Sequence, residues 1–433
     1  MRETTVQILE AGQRRALRVR DFRRLWAGAS VSLLGTQVTV LALPTVFVLS
    51  IHGGPLEVSL VNAIQYAAML LGLGWAGRVA DRLDPRTIMV GCDSVRATAL
   101  VAILVMSTLA RPQGWAVLLV AAVIGAASAF NDTAVAVVVP RALVADLRIY
   151  GNTLYAQSQY VAFSLGPPLA GLLVGLFGGG RAVAIDAGSY VVSAFFASRL
   201  SRAVTGGEGR SNSAPAGSSR ASAARMVWGT KALRSVALAS ATGNLGHQMV
   251  QGVYLLFLYR SYGLSPELVG LGFGVGGVAG IFGARSAGPL ARRLGNGWAL
   301  MLATVSGGGS WLLLFVPGVP HVVVVGLAAT LISFCMPLFG VVQATLRQAV
   351  TPAERQGAAA AGVGFISLCT VPVGFLLGGL LAQGAGLTTT LITGAGVAML
   401  SGLWCLPLVR ESSTTTPKTH GVSDLPVPAP AID

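Results

Sequence analysis

Charged residues are scarce in this chain of 433 residues, at 11% of the sequence compared with roughly 25% in soluble globular domains. Hydrophobic residues make up 53%, and the mean hydropathy is +0.70. So little charge cannot cover the surface of a body of this length, which excludes an ordinary water-soluble fold. The apolar runs are long and continuous, so they predict membrane-spanning helices and not the short alternating strands of a barrel.

The sequence motifs of common enzymes are also missing. There is no Gly-x-x-x-x-Gly-Lys-Ser/Thr loop for ATP, no His-Glu-x-x-His and no Gly-x-Ser-x-Gly. The four histidines are dispersed, and the four cysteines fall inside apolar runs, where we expect them to pack as small apolar side chains. A Gly-x-Gly-x-x-Gly stretch at 272–277 lies within an apolar run, which indicates close helix packing and not nucleotide binding. We therefore expect no enzyme, no catalytic residue, no metal site and no cofactor.

Twelve apolar stretches are long enough to cross a bilayer as helices. The fold class that follows is an all-α integral membrane protein with twelve transmembrane helices. The predicted spans are 24–50, 57–79, 87–109, 114–138, 154–178, 182–200, 235–258, 267–289, 298–316, 321–345, 358–383 and 388–409. No cleavable signal peptide is predicted, because the first 23 residues are polar and rich in arginine, without an apolar core.

The net charge of +14 is distributed unevenly across the predicted membrane. With the N-terminus inside, 26 of the 30 Lys and Arg residues fall on the cytoplasmic side, and only Arg111, Arg181 and Arg260 fall outside. This asymmetry is the positive-inside rule, so the basic charge indicates topology and not nucleic-acid binding. Both termini are predicted to be cytoplasmic. Arginine outnumbers lysine 28 to 2, which together with the many Ala and Gly residues is typical of a GC-rich bacterial genome and indicates a bacterial plasma membrane.

A polar segment divides the spans into two sets of six. Residues 201–234 are rich in Ser, Gly, Ala and Arg without an apolar period, which predicts a flexible cytoplasmic linker. The predicted units are therefore a cytoplasmic N-terminal segment, a six-helix half, the linker, a second six-helix half and a disordered cytoplasmic tail. Their boundaries are 1–23, 24–200, 201–234, 235–410 and 411–433.

The two halves resemble each other at a nearly constant offset. Leu34-Gly35-Thr36-Gln37 matches Leu245-Gly246-His247-Gln248, 211 residues later. Other short matches follow in the same order, at offsets of 211 and then 206. Six spans repeated in parallel around a central loop resemble the layout of the major facilitator superfamily of transporters.

The charged stretch between spans 2 and 3 is similar to the signature loop of that family, Gly-x-x-x-Asp-Arg-x-Gly-Arg-Lys/Arg. The matching residues are Gly77, Asp81, Arg82 and Arg86, whereas Asp84 and Pro85 depart from the pattern. The resemblance implies that Asp81 latches span 2 to span 11 when the cytoplasmic side is shut, where a helix N-terminus would stabilise the carboxylate. The alternative is a solvated loop that only follows the positive-inside rule.

Span 5 carries a second motif. Gly166, Pro167 and Gly171 resemble the Gly-Pro-x-x-Gly-Gly motif of drug:proton antiporters, with Ala170 in place of one glycine. The surrounding sequence is similar to the branch of siderophore and macrolide exporters, of which the enterobactin exporter is the best-known type. Proline bends a helix and small residues permit close packing, so an ordinary kinked span is the alternative.

Ionisable residues inside spans are costly and are therefore candidates for function. Asp93 and Arg96 lie on one face of span 3, Asp132 lies at a similar depth in span 4, and Asp186 lies in span 6. We expect the first three to form one network. The Asp93–Arg96 pair is interpreted as a fixed ion pair, which leaves Asp132, ahead of Asp186, as the expected proton carrier.

The polar residues Gln37, His247 and Gln248 are predicted to line a substrate cavity between the halves, although His247 has an alternative role in packing. Together these features predict a monomeric, proton-coupled exporter of a small amphipathic compound, with the lipid bilayer, protons and substrate as its partners. An importer or facilitator of the same fold is the first alternative. A non-transporting membrane scaffold is the second, although a scaffold would not need charges buried in its spans.

Overall fold

The computed structural model describes residues 11–109, 113–205, 220–352 and 355–414. Within these ranges the regular structure is helical and no strand occurs, so the predicted all-α fold class is confirmed. Twelve long helices, α1 to α12, account for the twelve predicted spans. They are Arg20–Thr45, Pro55–Ala80, Pro85–Leu109, Gly114–Ala142, Ala145–Phe177, Gly179–Ser198, Lys231–Arg260, Pro266–Leu294, Asn296–Gly309, His321–Val350, Gln356–Ala385 and Leu387–Leu400.

Ten of these twelve helices are long and apolar enough to cross a membrane by length and composition, where α1, α9 and α12 are counted together with the helical turns that continue them. The two that fall short are α6 and α7. Helix α6 carries Arg181 and Asp186, and α7 carries polar residues such as Asn244 and Gln248, which lower the mean hydropathy of both helices. Helix α6 packs against α1 and α3, and α7 packs against α11 and α12.

The helix boundaries depart from the sequence prediction most clearly at α5 and in the linker. Helix α5 begins at Ala145, nine residues before predicted span 5, because its first turns are polar and hydropathy does not detect them. The predicted linker 201–234 contains two short helices, Arg202–Thr205 and Arg220–Gly229, and α7 already begins at Lys231. Val227 explains the helix at 220–229, since its fully buried side chain belongs to the core of the second half. Residues 206–219 of the linker lie outside the described residues.

Both ends of the chain also contain helix where none was predicted. Residues 11–18 are helical, and Ala16 packs against Phe22 and Leu143. Helix α12 continues through a 3-10 turn, Ser401–Cys405, into a further helix, Leu406–Thr414. The rest of the predicted tail, 415–433, lies outside the described residues.

The sequence repeat reappears in the way the helices pair. In the first half, α1 contacts α5 and α6, α2 contacts α4, and α3 contacts α4 and α6. In the second half, the corresponding helices make the same pairs: α7 with α11 and α12, α8 with α10, and α9 with α10 and α12. The two main contacts between halves, α2 with α11 and α5 with α8, also correspond to each other under the repeat.

Among the described residues, the buried cores of the two halves merge at one end of the bundle. The end where α6 finishes and α7 begins is called the linker end, and the end that carries the α1–α2 turn is called the far end. At the far end, buried residues of both halves belong to one continuous core, which includes Leu43 and Val61 of the first half and Val253 and Leu391 of the second. At the linker end, each half has cores of its own.

The spacing of α2 and α11 shows the same opening. Near the far end, a Cβ placed on Gly379 of α11 would lie 2.7 Å from Cβ of Ser59 in α2, and the rings of Tyr66 and Phe375 stack with centroids 5.7 Å apart. At the linker end, a Cβ on Gly77 or on Gly357 would meet no atom within 4 Å. The structure is therefore closed at the far end and open between the halves at the linker end.

Candidate functional site

A cavity of about 480 Å³ lies between α4 and α5 in the half of the bundle towards the linker end. One face of α4 contributes a carboxylate, Asp132, followed by the apolar residues Val135, Ala136, Val139 and Pro140. One face of α5 contributes polar side chains at helical spacing, namely Arg148, Asn152, Tyr155 and Gln159. The cavity thus has an apolar wall and a hydrogen-bonding wall. Asp132 is exposed, and the surface that it exposes faces this cavity.

The polar face of α5 was not predicted from the sequence, although the signal was present. Residues 148, 152, 155 and 159 follow a spacing of four, three and four, which places them on one side of a helix. The predicted start of span 5 at residue 154 separated Arg148 and Asn152 from Tyr155 and Gln159. Only a helix that begins at Ala145 shows the four side chains as one face.

A separate group of polar residues is buried within the first half, among α1, α3 and α6. Arg96 Nη2 lies 3.5 Å from Asp93 Oδ1, and both side chains are almost completely buried. The guanidinium also lies over the ring of Tyr190, 4.8 Å from its centroid, and the Tyr190 hydroxyl is 3.2 Å from Oγ1 of Thr36. Cation–π contact compensates part of the cost of burying the guanidinium.

Asp186 is held in the same region by two hydroxyl groups. Oγ1 of Thr39 donates to Oδ2 of Asp186 at 2.5 Å, and Oγ of Ser189 donates to Oδ1 at 2.8 Å. Gly35 of α1 makes room for these groups, since a Cβ there would lie 2.2 Å from Ser189 Oγ and 2.5 Å from Asp186 Oδ1. The fully buried carboxyl group of Asp186 is thus enclosed between α1 and α6.

In the predicted network of Asp93, Arg96 and Asp132, the charge of Arg96 acts on Asp132 through space. No hydrogen bond or ion pair joins Asp132 to Arg96 within the part of the chain that the structure describes. The residues gathered around the Asp93–Arg96 pair are instead Tyr190 and, beyond it, Asp186. The sequence prediction missed Tyr190, because a tyrosine in an apolar span gives no distinct signal.

The three residues predicted to line a substrate cavity are partly buried and lie near the middle of α1 and α7. Gln37 packs against α5, where a Cβ on Gly166 would lie 2.4 Å from the Gln37 Cβ. Gln248 occupies the equivalent place against Gly374 of α11. His247 points towards aromatic residues, with its ring 5.3 Å from that of Trp311. This contact agrees with the alternative interpretation, in which His247 packs against its neighbours.

The span 5 motif lies at the contact between the halves. A Cβ on Gly171 would be 2.7 Å from Cα of Gly270 in α8, and a Cβ on Gly270 would be 2.7 Å from the carbonyl oxygen of Pro167. Further along α8, Gly274 faces Pro168 in the same close manner. The motif and the glycine-rich stretch of α8 thus form one glycine seam, which is the close helix packing expected for 272–277.

The α2–α3 loop lies at the open linker end. Asp81 follows the last residue of α2 and is exposed, and Arg82 is exposed beside it. The N-terminus of α3 is capped by Asp84, whose Oδ1 accepts a hydrogen bond from the Arg86 backbone N–H at 2.9 Å. The Arg86 side chain donates to the carbonyl oxygen of Leu200 at 3.5 Å. In this arrangement the Arg86 hydrogen bond holds the loop to its own half.

Polar contacts that the sequence did not reveal close the far end. Nη2 of Arg260, at the end of α7, donates to the backbone carbonyl oxygens of His52 and Gly53 at 3.4 and 2.9 Å. His52 has a φ of 58°, a left-handed conformation that is unusual for a residue with a side chain. The hydroxyls of Thr45 and Tyr259 lie 3.1 Å apart across the same boundary. Arg260 appeared in the sequence only as an exception to the charge asymmetry.

Within the described residues, no group of three or more His, Cys, Asp or Glu side chains is placed to hold a metal ion. The described site consists instead of the exposed carboxylate of Asp132 and the exposed guanidinium of Arg148 in the cavity, the buried Asp93–Arg96 pair, and the glycine seam between the halves.

Comparison with known proteins identifies relatives over most of the chain. The family model of the Major Facilitator Superfamily matches residues 25–367, and a second match covers 236–431. The "Multidrug efflux pump Tap" of Mycolicibacterium fortuitum is 24% identical over 399 residues, which are 90% of this chain and 95% of that protein. "Macrolide efflux protein A" of Streptococcus pyogenes is 28% identical over 170 residues, which are 38% of this chain and 40% of that protein.

Among solved structures, a bacterial homologue of the iron transporter ferroportin is similar in fold at 19% identity. In its inward-facing state the TM-score is 0.71, with 91% of this chain and 99% of that chain covered. In its outward-facing state the TM-score is 0.58, with 90% and 99% covered.

Proposed function

Because the chain belongs to the Major Facilitator Superfamily and is therefore a multi-pass membrane transporter, we propose that it exports a small amphipathic compound in exchange for protons. The energy source in this proposal is a gradient, since the sequence has no ATP-binding loop. The membrane in the proposal is the bacterial plasma membrane, and the transporter works as a monomer.

One structural observation carries the mechanism: the two halves share a core at the far end and have separate cores at the linker end. Two rigid halves joined at one end of a central site are the arrangement that alternating access requires. Rocking of the halves about the site would close the linker end and open the far end.

The proposed direction follows from the relatives, since the two that match in sequence are named as efflux proteins. The positive-inside rule supports a cytoplasmic linker end, and the better fit to an inward-facing structure agrees with that orientation. An exporter loads its cargo from a cavity that opens to the cytoplasm.

Asp132 is the proposed proton carrier. A coupling carboxylate has to exchange its proton with water and with the cargo, and Asp132 is exposed in the cavity while Asp93 and Asp186 are buried. A carboxyl group that water reaches in one state and not in the other can load and release a proton as its surroundings change. Gln37, His247 and Gln248 are proposed to contact the cargo farther in, where the two halves meet.

Transport into inverted membrane vesicles tests this proposal. A fluorescent, macrolide-like or siderophore-like compound should accumulate in vesicles that contain the protein when their interior is acidified, and an uncoupler should abolish the accumulation. Vesicles without the protein provide the baseline. Accumulation that persists after the proton gradient has collapsed would overturn the antiport proposal, and accumulation of a small hydrophilic nutrient by intact cells would indicate an importer.

A further inference from the structure

Two side chains of opposite charge line the α4–α5 cavity without pairing with each other. Asp132 and Arg148 are both exposed, and neither forms an ion pair among the residues that the structure describes. Nε of Arg148 donates to the carbonyl oxygen of Leu143 at 3.3 Å, which occupies one of the five N–H groups of the guanidinium. Both charges therefore keep most of their capacity for hydrogen bonds to a ligand.

The two charges lie at different depths. Asp132 lies ten residues before the end of α4, and Arg148 lies three residues after the start of α5. The two helices are antiparallel neighbours joined at the linker end, so a rise of 1.5 Å per residue places the Cα of Asp132 about 10 Å deeper than the Cα of Arg148. Side chains tilt towards the N-terminus of their helix, which is the far end for α4 and the linker end for α5, so they do not close this gap. A ligand that reaches both charges must carry its own charged groups about that far apart or farther.

The cavity wall between the charges defines the rest of the ligand. Asn152, Tyr155 and Gln159 provide hydrogen-bonding groups on the α5 side, and Val135 and Val139 provide an apolar surface on the α4 side. A ligand with one charge would leave either the carboxylate or the guanidinium without a partner once it displaced the water of the cavity, and an unpaired charge in such a place is costly. A ligand with one charge of each sign satisfies both groups.

We propose that this cavity binds a zwitterionic compound, with the amine of the compound at Asp132 and its acid group at Arg148. The assignment rests on the proposed function only in its direction of transport. Binding itself needs no gradient and can be tested separately. It narrows the cargo from amphipathic compounds in general to amphiphiles that carry an amine and an acid about 10 Å apart. Asp132 then holds either a proton or the amine of the cargo, but not both.

Binding to the purified full chain in lipid nanodiscs, without a gradient, tests the assignment. The probes are norfloxacin, a fluorescent zwitterion, its ethyl ester, which keeps only the amine charge, and N-acetylnorfloxacin, which keeps only the carboxylate. We expect norfloxacin to bind at least about tenfold more tightly than either derivative, since each derivative leaves one protein charge unpaired.

Variants of the two charged residues test which end of the ligand each residue binds. Asp132→Asn should remove the advantage of norfloxacin over N-acetylnorfloxacin, and Arg148→Gln should remove its advantage over the ethyl ester. Arg148→Lys keeps the positive charge and should retain the preference, which separates loss of recognition from loss of folding. Arg141→Gln is the matched control, because Arg141 is exposed at the end of α4 and does not line the cavity.

The possible outcomes separate this inference from the proposed function. If the ethyl ester bound as tightly as norfloxacin, or if Arg148→Gln left the preference unchanged, Arg148 would have no part in recognition and the assignment would fail. Equal binding of all three probes would overturn it as well. Selective binding without proton-driven uptake in inverted vesicles would leave the assignment standing and reject the antiport proposal.

Discussion

The carboxylates inside the bundle have three different surroundings, and the surroundings determine what each can do. Asp93 is buried beside Arg96, so its negative charge already has a fixed partner. Asp186 accepts hydrogen bonds from two hydroxyls and has no exposed surface. Asp132 faces the open cavity. Of the three, Asp132 is the one with exposed surface, which agrees with its proposed role as the proton carrier.

Asp132→Asn should uncouple transport from the proton gradient. An amide keeps the size of the side chain but cannot bind and release a proton, so uptake into inverted vesicles should lose most of its response to an imposed pH gradient. Asp146→Asn provides the control, since Asp146 is an exposed acid in the first turn of α5 that does not line the cavity. Uptake by Asp132→Asn that stayed fully responsive to the gradient would exclude Asp132 as the carrier.

Asp81→Asn should impair transport without impairing folding or membrane insertion. In the open arrangement Asp81 is exposed, and its side chain forms no hydrogen bond or ion pair among the described residues, so its proposed role belongs to the state in which the linker end is shut. Transport measured at matched expression tests this. Asp84→Asn is a control in the same loop, because asparagine also caps a helix N-terminus. Normal transport by Asp81→Asn would reduce the loop to a topology signal.

At the scale of helices, the contact between α5 and α8 depends on the absence of side chains. Gly171 and Gly270 bring the two backbones together where no Cβ fits, and the prolines of the span 5 motif lie directly beside them. The equivalent contact, α2 with α11, uses larger groups, including the stacked rings of Tyr66 and Phe375. The glycine seam is therefore the more sensitive of the two contacts to added volume.

Gly270→Val should open the far end and reduce transport. The added side chain would meet the Pro167 carbonyl oxygen and the Gly171 backbone, and overpacking of this kind costs about 1–3 kcal/mol. That cost lowers the ratio of molecules closed at the far end to molecules open at the far end by about 5- to 150-fold. The shift is measured as increased labelling of a cysteine at the far end by an impermeant reagent. Gly188→Val is the control, since a Cβ at this exposed position of α6 meets no atom within 4 Å.

At the scale of the whole molecule, the two halves have the same helix pairing but different interiors. The first half contains the buried Asp93–Arg96 pair and Asp186, whereas α7 of the second half contributes His247 in contact with Trp311. The proposed coupling group and the α4–α5 cavity therefore lie in the first half, and the second half closes over them and adds His247 and Gln248 as proposed cargo contacts.

The proposed orientation makes a topological prediction. In a background without the four native cysteines, Val316→Cys should react in intact cells with an impermeant maleimide, and Ser213→Cys should react only after the membrane is permeabilised. Val316 is an exposed residue at the far end, before the left-handed Gly318, and Ser213 belongs to the predicted linker outside the described residues. Labelling of Ser213→Cys from outside would contradict the proposed orientation.

The sequence by itself determined the fold class, the twelve helices and the correspondence of the two halves. These properties follow from hydropathy over about 20 residues and from short repeated patterns, both of which are local in the chain. The same local measure failed where the surroundings of a helix differed from lipid. It placed the start of α5 nine residues late and missed the helix at Arg220–Gly229, because the polar first turns of α5 and the packing of Val227 depend on neighbours.

Only the tertiary structure decided which polar residues face one another. The sequence places Asp132 with Asp93 and Arg96 by depth, but depth does not specify the direction in which a side chain points around its helix. Packing directs Asp132 towards the cavity with Arg148 and leaves Arg96 against Tyr190. The end at which the halves are closed was decided in the same way, because contacts between residues about 200 positions apart, such as Arg260 with His52, depend on how the two halves dock.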